Sequence, residues 1–172
     1  SIKGFISKKQ YSYKFIPSHP MAGTENKGWE YAFPDLFEGA IWAITPDKKN
    51  TKKDIKILQS VIEELGAKSV LTTPEEHDLA VAFISHAPLV IAQALCKNIE
   101  NNKLAQTLAS SGFRDTTRLA LSNTEMADDM INLNRENIQK VLSELNKNLN
   151  KLLGGKYKKQ ADEIKNFREH LY

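Results

Sequence analysis

Thr73-Pro74-Glu75-Glu76-His77-Asp78-Leu79-Ala80-Val81-Ala82-Phe83-Ile84-Ser85-His86-Ala87-Pro88-Leu89-Val90 is the stretch that decides the architecture. It opens on three helix-start signals: Thr73 as an N-cap, Pro74 at the first helical position, and Glu76 placed to bond back to the cap. The segment that follows, to about Asn98, is rich in alanine and apolar on most sides, which predicts a buried helix. Pro88 predicts a kink in it, because proline has no N–H to give and its ring crowds the preceding turn. Upstream of this stretch strands and a helix alternate; downstream only helical patterns appear. The expected organisation is therefore α+β, with an α/β part over residues 1–73 and an all-helical part over 74–172.

Working back from Thr73, Ala67 to Thr72 reads as a strand. Asp54 to Leu65 reads as an amphipathic helix, with Ile55, Leu58, Val61, Ile62 and Leu65 on one face and Gly66 as its stop. Gly39 to Thr45, closed by Pro46, is a second strand, and Tyr13 to Pro17 a third that runs into the polar loop from Ser18 to Gly28. Residues 1–12 are polar and basic, compatible with the end of a helix. Working forward, Ser122-x-x-Glu125 has the form of a capping box. Ile138, Leu142, Leu145, Leu149 and Leu152 then recur at spacings of four and three, predicting one long helix with a continuous apolar stripe that Gly154-Gly155 ends. Tyr157, Ala161, Ile164, Phe167 and Leu171 define a last amphipathic helix.

The bulk properties exclude several classes. The 172 residues carry 24 basic and 21 acidic side chains, a net charge of +3, too balanced to imply a nucleic acid or a membrane surface as partner. The basic cluster Lys156 to Lys159 is read as a solvated helix face. No apolar run is read as approaching the ~20 residues of a membrane span, and no signal peptide is visible. One cysteine, Cys96, forbids an internal disulfide and suits a reducing, cytoplasmic setting.

Three polar clusters stand in otherwise apolar surroundings. The first is His19-Pro20-Met21-Ala22-Gly23-Thr24-Glu25, placed by this reading just after a strand. Ligands in α/β sheets bind beyond the carboxyl ends of strands, and a histidine there can serve as a general base near neutral pH or can be structural. The second is His77-Asp78, with Ser85-His86 further along the same helix. The two histidines lie about half a turn out of phase, so they cannot hold one metal from a regular helix, and satisfied buried histidines are the plainer account. The third is Ser110-Ser111-Gly112-Phe113-Arg114-Asp115-Thr116-Thr117-Arg118, where Gly112 allows a tight turn. Arg118 could clamp a carboxylate with two hydrogen bonds, or the cluster could be helix capping with a surface ion pair.

Taken together and in order, HPMAGTE, EHD with a following SH-x-P, and GFRDTTR resemble the prephenate and arogenate dehydrogenases, over essentially the whole chain. Ser1-Ile2-Lys3 is similar to the Ser-Val-Lys segment that precedes the first block in that family. The resemblance implies the last part of a Rossmann-type nucleotide domain followed by a helical domain that binds substrate and makes a homodimer. It implies an oxidoreductase of tyrosine biosynthesis that oxidatively decarboxylates a cyclohexadienol with NADP or NAD. It gives His19 the role of proton acceptor and Ser1 that of orienting it. Lys3 is placed beside the cofactor, Arg118 on a substrate carboxylate, and Thr24, Glu25 and Asp115 around the pocket, with no metal. The glycine fingerprint G-x-G-x-x-G is formed by none of the eight glycines, at positions 4, 23, 28, 39, 66, 112, 154 and 155. The chain is accordingly expected to lack the upstream nucleotide-binding region and to be inactive alone.

Three positions depart from the common prephenate-dehydrogenase pattern. Leu89 stands where many members have a second His, Ala127 where many have Trp, and Ser111 where many have Gly. Ala109 to Thr116 resembles instead the cyanobacterial arogenate dehydrogenases, which prefer NADP, so arogenate is the expected substrate. The alternatives are a prephenate dehydrogenase and, in a different class, a non-catalytic helical dimerisation module.

Overall fold

A computed structural model of the chain describes residues 14–23 and 28–171. Its contacts divide it into two compact units. One holds the residues up to Val81 together with Leu121–Ala127; the other holds Ala82–Ala120 and Asp128 onward.

The first unit is built on a three-stranded sheet, β1 (Ser18–Pro20), β2 (Ile41–Ile44) and β3 (Lys68–Leu71), in that spatial order. β2 and β3 run parallel, joined through helix α1 (Lys52–Glu64), while β1 lies antiparallel against the other edge of β2. The α1 start is sharper than the pattern predicted. Thr51 accepts from the Asp54 N–H while the Asp54 carboxylate accepts from the Thr51 N–H, a complete capping box. Asp54 also takes a bond from Lys14 at 2.8 Å, and that bond, ahead of those from Thr51, holds its pKa down to about 2. Of the five apolar positions read on this helix, only Ile62 is fully buried; Val61 and Leu65 remain 47% and 44% exposed. Ile62 packs with Ile44 and Ala67, and Ile16, Phe37, Trp42 and Leu58 close around them. Burying a side chain of that size contributes about 1.5–3 kcal/mol, so this small core is what holds α1 against the sheet. Gly66 ends the helix at φ +75°, the left-handed conformation that glycine adopts without a Cβ penalty.

The strand expected over Tyr13 to Pro17 is displaced. The ladder forms at Ser18–Pro20, with His19 opposite Ala43, whereas residues 14–17 are not strand. The aromatic and β-branched run marked burial, since Ile16 does pack into the core, but pairing with β2 decides where the strand lies. His19 is consequently within a strand and not in a loop beyond one.

In the second unit a π-helical stretch, Ala82–His86, leads into α3 (Ala87–Ile99). The whole helical run Pro74–Ile99, begun by α2 (Pro74–Val81), bears out the capping box read on Thr73: Thr73 Oγ1 accepts from the Glu76 N–H at 3.1 Å, and Glu76 accepts from the Thr73 N–H at 3.1 Å. The irregularity predicted at Pro88 takes the form of the π stretch just before it. Widening the turn to i→i+5 bonding accommodates a residue that cannot donate and whose ring would meet the carbonyl four residues back.

Two expectations about this run need correction. Its composition predicts burial, yet Leu79, Phe83 and Ile84 are 39%, 45% and 67% exposed. The sequence also predicts no membrane-length apolar stretch, yet by length and composition its 26 residues are long and apolar enough to cross a membrane, with a mean hydropathy of 1.9 in the most apolar window. The polar residues that interrupt it, Ser85, His86 and Gln93, are few. Core helices of soluble proteins pass the same test of length and composition.

Further along come α4 (Lys103–Leu108), α5 (Ser111–Thr116), a 3₁₀ turn at Arg118–Leu121, α6 (Thr124–Leu133), α7 (Arg135–Leu153) and α8 (Tyr157–Leu171). The α6 cap is Asn123, whose side chain accepts from the Met126 N–H at 2.9 Å, one residue later than the box read on Ser122. Gly112 lies inside α5 and not at a turn. The long α7 appears as predicted, but its stripe is buried only at its start. Ile138 and Val141 pack with Ala82 and Ala87, and Val90, Ile131 and Leu142 flank them. Beyond that the apolar surface opens: Leu149, Leu153, Ile164 and Phe167 are between 47% and 84% exposed.

Candidate active site

The sheet brings together two of the three polar clusters. β1 and β3 flank β2, and α2 begins directly after the carboxyl end of β3. His19, on β1, and His77, in the first turn of α2, thus come from opposite edges of the sheet, and their rings meet. Nδ1 of His19 lies 3.0 Å from Nε2 of His77, with ring centroids 5.2 Å apart and planes at 66°. Nδ1 of His77 lies in turn 3.0 Å from Oδ1 of Asp78. His77 is anchored from the backbone, its N–H bonding Thr73 O at 2.9 Å within the capped first turn.

The electrostatics suit a proton acceptor. Desolvation of the ring, and then the neighbouring His77, lower the His19 pKa from its ordinary value of 6.5, so the imidazole is neutral near neutral pH. The residue as a whole is still exposed in this chain, which leaves it open to a substrate. Glu76 is not a competing acid or base: bonds from the Thr73 backbone and side chain and from Thr72 commit its carboxylate to the helix cap and lower its pKa.

The pairing of His19 with His77 is not among the sequence-based expectations, in which satisfied buried histidines are the plainer account of His77 and His86. The signal was present: the carboxyl-end rule applied to His19 applies equally to a histidine four residues past the N-cap that follows β3. The other histidine of that cluster, His86, instead bonds Asn134 at 3.1 Å within the second unit. Among the described residues no group of His, Cys, Asp and Glu could hold a metal ion.

Arg118 and Asp115 belong to the second unit. Arg118 opens the 3₁₀ turn. Asp115, on α5, has an exposed carboxylate that Arg114 approaches at 3.5 Å, so part of this cluster is the surface ion pair that was the plainer of its two readings. Ser1, Lys3, Thr24 and Glu25 lie outside the described residues. Leu89 is 2% exposed and Ala127 4% exposed; both serve packing.

The described chain thus offers a parallel strand–helix–strand segment, followed in sequence by a helical module, with a strand-borne histidine whose pKa burial lowers. Residues 1–71 match the model of the prephenate dehydrogenase nucleotide-binding domain, and residues 73–171 that of the prephenate dehydrogenase dimerization domain. The chain belongs to the prephenate dehydrogenase family. It is 35% identical to the Bacillus subtilis prephenate dehydrogenase over 130 residues, covering 73% of this chain and 35% of that protein. It is 34% identical to the Zymomonas mobilis cyclohexadienyl dehydrogenase over 142 residues, 80% of this chain and 48% of that one. Among solved structures, the Synechocystis arogenate dehydrogenase matches with a TM-score of 0.73 at 36% identity, over 91% of this chain and 58% of its own. The A. aeolicus prephenate dehydrogenase in complex with hydroxyphenyl propionate and NAD+ matches with a TM-score of 0.76 at 32% identity, over 91% and 56%. The chain spans roughly a third to three-fifths of the length of these relatives.

Proposed function

We propose that this chain is part of a cytoplasmic NAD(P)-dependent arogenate dehydrogenase, dividing at residue 73 into nucleotide-domain and helical modules. The observation that carries this reading is His19: an accessible imidazole, its pKa lowered by burial, on β1 of a segment that matches the family's nucleotide-binding domain. The described residues fit only the distal part of a nicotinamide-cofactor site. They supply a parallel strand pair with its crossover helix, and the eight glycines of the chain form no phosphate-holding fingerprint. When bound, NAD(P)+ supplies the hydride acceptor. The 172 residues alone are expected to give no turnover.

In the reaction, His19 accepts the proton of the ring hydroxyl as hydride leaves the carbon that bears it. Carbon dioxide then departs, the electron pair of the broken bond enters the ring, and the ring oxygen takes its proton back, so the proton is lent and not consumed. Arg118 pairs with a substrate carboxylate, since a planar guanidinium can offer two parallel bonds. The family resemblance assigns Thr24, Glu25 and Asp115 to the substrate, Lys3 to the cofactor and Ser1 to orienting His19. The exposed apolar faces of α7 and α8, at Leu149, Leu153, Ile164 and Phe167, are covered by a second copy of the chain.

The preference for arogenate rests on the Ser110–Asp115 block. Leu89, being buried, contributes packing. The test is kcat/KM for arogenate and prephenate with NADP and with NAD, on the enzyme with its nucleotide-binding region complete. At least a tenfold preference for arogenate is expected. Equal values, or a preference for prephenate, overturn the substrate assignment and leave the reaction class standing.

A further inference from the structure

We propose that Asp78 and His77 form a positioning relay for His19, fixing its ring in the tautomer that leaves the lone pair on Nε2. The proposal rests on the reading of His19 as proton acceptor and concerns how that role is made possible.

The argument follows the protons. A carboxylate can only accept, so the 3.0 Å contact between Asp78 Oδ1 and His77 Nδ1 requires the proton on His77 Nδ1. A neutral imidazole has a single N–H, so His77 Nε2 is then a bare acceptor. The 3.0 Å contact between His77 Nε2 and His19 Nδ1 must accordingly be donated by His19. With its one N–H committed there, His19 presents an unprotonated Nε2. The opposite tautomer would carry a hydrogen on Nε2 and could accept nothing at that atom. A free imidazole samples both forms, and a base that must be ready at one nitrogen benefits from a partner that holds the other.

The relay is held from outside the sheet edge it serves. β1 is three residues long and, among the described residues, at the sheet margin, a poor platform for an oriented side chain. His77, by contrast, has its backbone locked in the first turn of α2 by the reciprocal Thr73–Glu76 box, and its side chain is only 17% exposed. The family resemblance gives orientation of His19 to Ser1. Here the Nδ1 side of the ring is held by His77.

The experiment uses the complete enzyme and four proteins: wild type, His19→Asn, His77→Leu and His77→Gln. Leucine removes the acceptor, whereas glutamine places a carbonyl oxygen where Nε2 stood. His77→Leu is expected to lower kcat about 10–100-fold, the usual scale for losing an orienting partner, with KM changed far less. His77→Gln is expected to recover most of that loss. In the ¹⁵N spectrum of histidine-labelled protein above pH 7, His19 should carry its proton on Nδ1 in the wild type and in His77→Gln, and should show both tautomers in His77→Leu. A merely structural tie between β1 and α2 would move stability in both variants without this split between Leu and Gln. A wild-type His19 protonated at Nε2, or a His77→Leu enzyme with full kcat while His19→Asn is inactive, overturns the relay. If His19→Asn itself keeps its rate, the assignment of the base fails, and the tautomer spectrum still decides the relay.

Discussion

Replacing His19 by Asn in the complete enzyme separates chemistry from architecture. The Asn amide nitrogen stands close to the place of Nδ1, so it can still donate to His77 Nε2, the contact that measures 3.0 Å in the native chain. What disappears is the second ring nitrogen, and with it the base. His19 lies on a short edge strand and is exposed, so the substitution neither opens a cavity nor strands a buried polar group, and stability should change by no more than ~0.5 kcal/mol. A positioned general base contributes ~10²–10⁴-fold, or ~2.7–5.4 kcal/mol of barrier at ~1.36 kcal/mol per decade. kcat should fall by that factor with KM little altered, measured as reduced-cofactor absorbance at saturating substrate, while the thermal unfolding midpoint stays put. A variant with full kcat would refute the reasoning, because His19 is the group to which it assigns the proton. A large fall in the unfolding midpoint would show instead that the packing of the His19 ring is mainly structural.

The other expectations are briefer. Because desolvation and His77 push the His19 pKa below 6.5, the acidic limb of kcat/KM should lie below that pH and steepen toward tenfold per unit; a limb centred above pH 7 would contradict it. The same shift has a stability consequence: the unfolded chain binds this proton more tightly than the folded one, so stability should decline as pH drops through about 6.5 and level off below the folded pKa, read as urea midpoints between pH 7.5 and 5. Arg118→Ala should raise KM roughly 10–150-fold, from ~1.5–3 kcal/mol for a hydrogen bond to a charged group, and Lys should rescue only in part; an unchanged KM with unchanged stability would make Arg118 structural. Ile62→Ala, at a fully buried site, should cost about 2–5 kcal/mol in chemical denaturation. Sedimentation of the complete enzyme at micromolar concentration should show a dimer, and a monomer would remove the proposed covering of α7 and α8.

What the sequence determined by itself is whatever local chemistry dictates. The Thr73–Glu76 capping box, the 3.6-residue period behind Ile138, and the glycine stops at Gly66 and Gly154 are each written within a few residues, so the order of strands and helices and the change of character after residue 73 were legible. The three polar blocks, read in order, were enough to reach the family. Tertiary structure decided whatever depends on partners far apart in the chain. The first strand formed at Ser18–Pro20 and not over the apolar run before it, because a strand is defined by its ladder and β2 offered its pairing edge there. Among the described residues only Ile62 of the α1 apolar face is sealed off completely, while Val61 and Leu65 stay exposed, because burial depends on what the rest of the chain packs against a face. The contact of His19 with His77 joins residues 58 positions apart; no spacing rule reports it, since it arises only when the two edges of the sheet are folded onto the same central strand.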